Sequence, residues 1–241
     1  MNVSVTIGLE DGEWQVEPLP ATGRSVGLDW GVKAVASTTA GPESDLPHTP
    51  HRDRAQRALG RYQRQMARRR PTPGKAASNG YRTAKRHTAR EHAKIAARRQ
   101  DEARKWALKL DREFDQIAIE DFKPLFMFGS TLAARAASAR TAAARRALED
   151  AAAKHGRTLV SVPAAFTTMD CSNCGARAKH RLPPSQRTFQ CEVCGHTADR
   201  DANAAGTVRL RAFGPEARAG FDPAGADRVR PVGAPDVPLA A

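Results

Sequence analysis

The stretch 171–205 reads CSNCGARAKHRLPPSQRTFQCEVCGHTADRDANAA and contains all four cysteines of the chain. They form two pairs, Cys171-x-x-Cys174 and Cys191-x-x-Cys194, with sixteen residues between the pairs. A glycine follows each pair and allows the turn to close, so that both thiolates of a pair face one point. This spacing is typical of a tetrahedral zinc site with four thiolate ligands. We therefore predict a structural zinc ribbon over residues 164–198.

Two disulfides or a redox pair are the alternative interpretations of four cysteines. The N-terminal sequence Met1-Asn2-Val3-Ser4 has no basic segment followed by an apolar run, so we expect no secretory signal and reduced thiols. A redox Cys-x-x-Cys would not occur in duplicate. His180 and His196 lie close by in the sequence, but four thiolates complete the coordination, and we interpret both histidines as bystanders.

The overall charge of the chain is strongly positive. The 241 residues carry a formal net charge of +13, and aromatic residues make up only 5 % of them. This excess of positive charge favours a polyanionic partner, most simply nucleic acid. A membrane surface is the weaker interpretation, because no helix pairs a basic face with an apolar one and no apolar run is long enough to span a bilayer. We expect a cytoplasmic prokaryotic protein that associates with nucleic acid and not with a membrane.

Much of the excess charge lies in residues 51–110. Two basic helices are predicted there, over 51–70 and from about 81 to 110, separated by a break that contains Pro71 and Pro73. A solvated helix face is the alternative, but few carboxylates interrupt the basic residues, so we predict an arm that contacts phosphates. The candidate contact residues are Arg61, Arg64, Arg68, Arg69, Arg70, Lys85, Arg86 and Arg90.

The rest of the chain mixes short strands with helices. The predicted strands are a β-ribbon over 2–19 that turns at Asp11-Gly12, then 25–28, 32–38, 115–121 and 158–162. The predicted helices are 130–155 and 201–213, and the spacing of Ala103, Trp106 and Leu110 directs these side chains of the second basic helix into a core. Residues 214–241 have a composition typical of disorder. Together these elements predict an α/β core with a basic α-helical insertion and an inserted zinc ribbon.

Three carboxylates stand where a predicted strand ends or a helix begins: Asp29, Glu120 and Asp201. A buried acid is costly unless something compensates it, and Asp201 taken alone is also a candidate N-cap. Three such acids in a strongly basic chain suggest a shared cation. Carboxylate oxygens suit Mg²⁺, and two Mg²⁺ ions can stabilise both the attacking and the leaving oxygen when a phosphodiester is cleaved.

Six segments carry a resemblance to a known family. In chain order they are VGLDWGVK (26–33), RYQRQMARRR (61–70), IAIEDFK (117–123), FTTMDCSNCG (166–175), CEVCGH (191–196) and DRDANAA (199–205). Over roughly residues 5–210 the sequence resembles the C-terminal part of TnpB/OrfB proteins. These are transposon-encoded RNA-guided nucleases related to type V CRISPR effectors.

The resemblance implies an RNase-H-like RuvC core over residues 25–163, with the last RuvC segment at 199–213. It implies that Asp29, Glu120 and Asp201 are catalytic and bind magnesium, and it selects Glu120 over Asp121 and Asp201 over Asp199. It further implies a DNA target and a guide RNA as partners. Family members carry wedge and recognition domains before the first acidic motif, whereas residues 1–24 here resemble only the last piece of a wedge-like domain.

The leading hypothesis is therefore a magnesium-dependent DNA endonuclease with a short N-terminal region. The alternative is a nucleic-acid-binding protein or transposon remnant that does not cleave. A transposase that uses a tyrosine nucleophile is disfavoured, because the only tyrosines, Tyr62 and Tyr81, both lie in the basic arm.

Overall fold

A six-stranded sheet forms the centre of the computed structural model, which describes residues 18–31, 33–121, 132–183, 185–214 and 230–231. In chain order the strands of this sheet are β1 (Ser25–Trp30), β2 (Ala34–Thr38), β3 (Leu46–Pro47), β4 (Gln116–Asp121), β5 (Thr158–Pro163) and β8 (Arg230–Pro231). The helices are α1 (His51–Arg68), α2 (Asn79–Glu113), α3 (Leu132–His155) and α4 (Arg200–Phe213), and a separate hairpin contains β6 (Thr188–Gln190) and β7 (Thr197–Asp199).

The strand order across the sheet is β3-β2-β1-β4-β5-β8. The three central strands β1, β4 and β5 run parallel, with Leu28 beside Ile119 and Glu120 beside Val162. Their apolar runs are buried on both faces, which is usual for parallel strands. Because these strands run in one direction, their carboxyl ends lie at the same edge of the sheet.

One face of the sheet packs against α2 and α3. Leu28 of β1, Ile119 of β4, Leu110 of α2 and Leu148 of α3 are fully buried in this larger core. The predicted inward direction of Ala103, Trp106 and Leu110 is confirmed, since all three belong to the same core. The indole of Trp106 also donates a hydrogen bond to the carbonyl of Ser44, 2.8 Å away, which ties α2 to the loop after β2.

The opposite face of the sheet is covered by α4. Val208 of this helix packs on Ala118, Val160 and Val162. Gly27 makes the close approach possible, because a Cβ at this position would lie 2.6 Å from Cβ of Arg209 and would collide with the carbonyl oxygen of Ala205. Helix α4 therefore lies almost directly on the backbone of β1.

The basic helices α1 and α2 form an antiparallel hairpin. The rings of Tyr62 and His87 stack with their centroids 4.7 Å apart, and His51 lies 2.7 Å from Glu102 near the base of the hairpin. Helix α2 has 35 residues and is therefore about 52 Å long. Its last turns belong to the core, while its first turns extend away with α1.

Several boundaries differ from the predicted ones. Strand β1 continues to Trp30, and α2 begins at Asn79 because the Ser78 hydroxyl caps it by accepting from the backbone N–H of Tyr81. The predicted ribbon over 2–19 lies almost entirely outside the described residues, as does most of the segment 214–241 predicted to be disordered. Two residues of that segment depart from the prediction, since Arg230–Pro231 pair antiparallel with β5 and cover its outer edge. Among the described residues, no helix is both long and apolar enough to cross a bilayer.

Candidate active site and metal centre

The three acids singled out in the sequence come together on the α4 side of the sheet. Asp29 lies near the end of β1, Glu120 near the end of β4, and Asp201 in the first turn of α4. Continuing the register from Leu28 and Ile119 sets Asp29 beside Glu120. All three are buried, with 6 %, 4 % and 5 % of their surface exposed.

The alternation of side chains along the strands explains why the acids point away from the larger core. Leu28 and Trp30 pack on the α2 side, so Asp29 between them points to the other face. In the same way Ile119 faces α2 and Glu120 faces α4. Asp121, the next residue, is exposed and lies 3.5 Å from Arg145.

The carboxyls of Asp29 and Glu120 lie within hydrogen-bonding reach of each other. Burial, followed by the charges of Glu120 and Asp201, raises the pKa of Asp29 well above its ordinary value. Burial raises the pKa of Glu120 from 4.5 to about 7, against the opposing effects of Thr167 and Asp29. Two adjacent carboxyls cannot both ionise cheaply here, so without a cation the pair retains a proton near neutral pH.

Asp201 is free of the capping role that its position suggested. The N-cap of α4 is Asp199, whose Oδ1 accepts from the backbone N–H groups of Asp201 and Ala202 at 2.9 and 3.3 Å. The carboxylate of Asp201 instead faces two guanidinium groups. Arg200 lies 3.3 Å from its Oδ1, and Arg187 lies 3.6 Å from its Oδ2.

A buried polar network lies behind Glu120. Arg211 of α4 donates to the carbonyl of Pro163 at 2.8 Å and to Oδ2 of Asp170 at 2.7 Å, and its charge lowers the pKa of Glu120. Thr167, in the turn after β5, donates its hydroxyl to the carbonyl of Ala164 at 3.1 Å, and its side chain lies close enough to Glu120 to lower the pKa of that carboxyl. Glu120 is therefore held by groups on two further segments of the chain.

The acidic site suits a divalent cation. Oε1 of Glu120 is buried and has no hydrogen-bond donor within the described part of the chain. An unpaired buried oxygen of this kind is costly, and a hard cation would satisfy it while removing the repulsion between the carboxylates. These residues therefore fit Mg²⁺ by the chemistry of their donors.

The four cysteines form a compact cluster. Their Sγ atoms all lie within 4.8 Å of one another, with Cys171 and Cys194 at 3.7 Å and Cys174 and Cys191 at 3.6 Å. A tetrahedral site with Zn–S bonds of about 2.3 Å has S···S distances of about 3.8 Å. The cluster can hold a metal ion of that size. Within the described ranges, these four cysteines are the one group of three or more His, Cys, Asp or Glu side chains placed closely enough to hold a metal ion as they stand.

The thiols are unequal in acidity before a metal binds. Burial raises the pKa of Cys174 to about 12, whereas the backbone N–H of His196 lowers the pKa of Cys194 to about 6. Four adjacent thiolates would repel one another, so a cation that binds here must displace protons. His180 and His196 lie outside the metal-binding cluster.

The cysteine cluster is attached directly to α4. The side chain of Asn203 accepts from the backbone N–H of Ser172 at 3.0 Å and donates to the carbonyl of Asp170 at 2.8 Å. Thr207 donates to the same carbonyl at 3.0 Å. Asp201 lies two residues before Asn203. Helix α4 therefore carries both an acid of the site and the side chains that hydrogen-bond to the first cysteine pair.

The predicted phosphate-contacting residues lie on the surface of the α1–α2 hairpin and of the segment that follows α1. All of them are exposed: Arg61, Arg64, Arg68, Arg69, Arg70, Lys85, Arg86 and Arg90. Arg69 donates a 3.5 Å hydrogen bond to the carbonyl of Gly80 and Arg86 a 3.4 Å bond to Thr83. Their contact with nucleic acid stays a prediction.

Two family models match the chain. The model OrfB_IS605, described as a probable transposase, matches residues 3–129, which is more than half of the chain. The chain belongs to the OrfB_IS605 family. A second model, described as the Cas12f1-like TNB domain, matches residues 142–208 and includes the four cysteines and Asp201.

Curated proteins similar to this OrfB_IS605 chain carry the name “Putative RNA-guided DNA endonuclease”. The one from Streptomyces pristinaespiralis is 34 % identical over 195 residues, covering 80 % of this chain and 46 % of that protein. The Escherichia coli K12 protein of that name, InsQ, is 29 % identical over 231 residues, covering 85 % of this chain and 55 % of that protein. The chain thus spans about half the length of these relatives.

A solved structure shares the fold. The cryo-EM structure of the Cas12f1–sgRNA–target DNA complex contains a chain that matches with a TM-score of 0.54 and 15 % sequence identity. The match covers 81 % of this OrfB_IS605 chain and 40 % of that chain. It supports the α/β fold expected from the sequence.

Several residues around the site carry no signal in the sequence alone. Thr167 and Arg211 reach Glu120 only because the turn after β5 and the end of α4 fold toward it. Arg187 reaches Asp201 from the loop before β6. Arg200, which also contacts Asp201, is different because it directly precedes this predicted site residue in the sequence.

Proposed function

We propose that this chain is the nuclease core of a TnpB-type, RNA-guided DNA endonuclease, built on an RNase-H-like RuvC domain. The observation that carries the proposal is the meeting of Asp29, Glu120 and Asp201, which come from three distant parts of the chain and are all buried together. Three acids buried beside one another lower the stability of the fold, because each loses hydration and repels the others. Such a cluster is therefore better explained by a function than by a structural role.

The three carboxylates would bind magnesium. Bound there, two ions would stabilise the charge on the attacking and leaving oxygens of a phosphodiester. Asp29 lies near both Glu120 and Asp201, so it would hold metal together with each of them.

The side chains around the site would hold its geometry and its charge. Arg211 and Thr167 would both favour the ionised form of Glu120, since each lowers its pKa. Arg200 and Arg187 both face the carboxylate of Asp201, and 18 % and 49 % of their side-chain surface is exposed. Arginine forms paired hydrogen bonds with phosphate, so these two side chains could exchange Asp201 for substrate.

The cysteine cluster would hold zinc in a structural role. The ion would fix the two cysteine turns, and Asn203 would transmit that order to the start of α4. The donor set has four protein ligands and leaves no open coordination position for a substrate.

Target DNA and a guide RNA are the proposed partners. The support is the net charge of +13, the exposed arginines of the α1–α2 hairpin and the names of the relatives. The transposase label of the family model does not point to tyrosine chemistry in this chain. Tyr62 is stacked on His87, and Tyr81 lies in the first turn of α2, so both belong to the arm and not to the acidic site.

The test is cleavage by the purified chain together with any RNA that copurifies with it. Single-stranded DNA and duplex DNA matched to the sequenced RNA are offered with Mg²⁺ or Mn²⁺. We expect cleavage that is lost in Asp29→Asn and kept in Asp121→Asn, which changes an exposed aspartate. Cleavage that survives Asp29→Asn contradicts the proposed site. Salt-dependent binding without any metal-dependent cleavage would instead assign the chain as a nucleic-acid-binding protein.

A further inference from the structure

Phe166 is an exposed aromatic residue beside the acidic site. It lies in the turn between β5 and the first cysteine pair, and 49 % of its surface is exposed. Among the large hydrophobic residues that the structure describes, only Phe166 and Val193 are exposed. The next residue, Thr167, is buried, and its side chain lies next to Glu120, so Phe166 directly precedes a residue that borders the site.

The backbone at Phe166 is strained. Its φ angle is 64°, and it is the only non-glycine residue with a positive φ among the described residues. Bulky side chains rarely adopt this region, and such strain collects at functional sites. Asparagine or glycine would fill the turn at lower cost. The fold therefore explains the conformation but not the choice of phenylalanine.

The ring is held in a prearranged stack. The guanidinium of Arg177 lies over it, 4.0 Å from the ring centroid. Asp170 fixes Arg177 through two hydrogen bonds, from Nε at 2.7 Å and from a terminal nitrogen at 3.2 Å. One face of the ring is covered by this cation. The exposure of Phe166 therefore comes from the rest of the ring, where a second planar group can stack.

We propose that Phe166, backed by Arg177, is a stacking site for an unpaired nucleobase. This inference rests on the proposed function, because a base held here would bring a single strand up to Asp29, Glu120 and Asp201. Aromatic rings bind bases of any sequence by stacking, which suits a site that positions a strand without reading it. The strongly positive chain supplies the attraction for the phosphates on either side.

The experiment measures the affinity of the full chain for single-stranded DNA without added magnesium. The probes are a short mixed-sequence oligonucleotide and an abasic backbone of the same length. The variants are Phe166→Asn, which keeps the backbone conformation, Phe166→Leu, which keeps an apolar side chain, and Phe166→Tyr, which keeps the ring. Val193→Ala is the matched control at the other exposed apolar side chain.

We expect Phe166→Asn and Phe166→Leu to weaken binding of the oligonucleotide roughly 5- to 150-fold, the equivalent of about 1–3 kcal/mol for one stacked base. Binding of the abasic backbone and the salt dependence should not change, since no phosphate contact is lost. Phe166→Tyr and Val193→Ala should bind within about twofold of the wild type. Because Phe166→Asn relieves strain, its melting temperature should equal or exceed that of the wild type.

Equal affinity of Phe166→Leu and the wild type for the oligonucleotide would overturn the stacking site. So would a loss that is equally large for the abasic backbone. This readout is separate from cleavage. If the wild type cleaves nothing while the Phe166 effect is seen, the proposed function fails and the stacking site stands. If cleavage depends on Asp29 while Phe166→Leu binds and cleaves normally, only the stacking site fails.

Discussion

The buried carboxyl of Glu120 makes the stability of the metal-free site depend on pH, with a sign that can be worked out. Its pKa is about 7 in the folded chain and 4.5 as an ordinary glutamate, so the folded chain holds this proton more tightly than the unfolded chain does. The stabilisation by that proton is fully present below the unfolded value. It is lost as the pH rises through about 7.

The size of the effect follows from the shift. Each pKa unit corresponds to about 1.36 kcal/mol, so Glu120 accounts for about 3 kcal/mol, most of it lost between about pH 5 and pH 8. In a chain of this size a loss of that magnitude lowers the melting temperature by roughly 6–12 °C. The raised pKa of Asp29 acts in the same direction.

The assay compares melting curves of the zinc-loaded wild type and of Glu120→Gln over this pH range, without free divalent metal. Glutamine stays neutral, so the wild type should lose about 3 kcal/mol relative to the variant as the pH rises. Magnesium should restore the wild type at high pH and leave the variant unchanged, because it binds the ionised carboxylates. Asp121→Asn, at an exposed neighbour, should follow the wild type. Parallel curves for the wild type and Glu120→Gln would refute the reasoning.

Three further predictions concern the packing around the site. Gly27→Ala should lower the free energy of unfolding by about 3 kcal/mol in denaturant titrations, since its Cβ would collide with the backbone of α4 at Ala205; an unchanged midpoint would contradict this contact. Cys191→Ser should abolish bound zinc in metal analysis, and retention of about one ion per chain would exclude the four-cysteine site. Asn203→Ala should cost about 1–3 kcal/mol by leaving the backbone N–H of Ser172 unpaired, and unfolding titrations with no loss would show that the helix and the cysteine turn are not linked there.

The sequence predicts the order of elements and much of the metal chemistry, because these depend on local patterns. The apolar run before Asp29 and the one before Glu120 each predict a strand, and the structure has β1 and β4 there. The spacing of the cysteines predicts a compact four-thiolate cluster, and their Sγ atoms form one. The end of α3 can also be predicted from the sequence, because glycine is the residue favoured just after a helix. Gly156 follows the last residue of α3 and has a φ of 68°.

Other features depend on contacts that no local pattern records. The capping residue of α4 is Asp199 and not Asp201, a choice settled by the path of β7 into the helix. Arg211 and Asp170 meet across forty-one positions of sequence in a 2.7 Å ion pair. The catalytic roles of the three acids and the phosphate contacts of the arm stay predictions.

Helix α4 connects the two metal sites, and this sets how they should respond to one another. Its first turn carries Asp201 and Asn203, Thr207 follows one turn later, and the last turn carries Arg211 near Glu120. Asn203 and Thr207 both hydrogen-bond to the segment that begins the first cysteine pair. Gly27 lets this helix lie on the strand that bears Asp29. The position of Asp201 relative to Asp29 and Glu120 therefore depends on how α4 packs. The helix is held by its contact with β1 at Gly27 and by its hydrogen bonds to the first cysteine turn. Loss of zinc should then weaken magnesium binding without removing any magnesium ligand. Because coupling between two binding sites is reciprocal, removal of magnesium should weaken zinc binding by the same factor, and equal zinc affinities with and without magnesium would show that α4 does not couple the two sites.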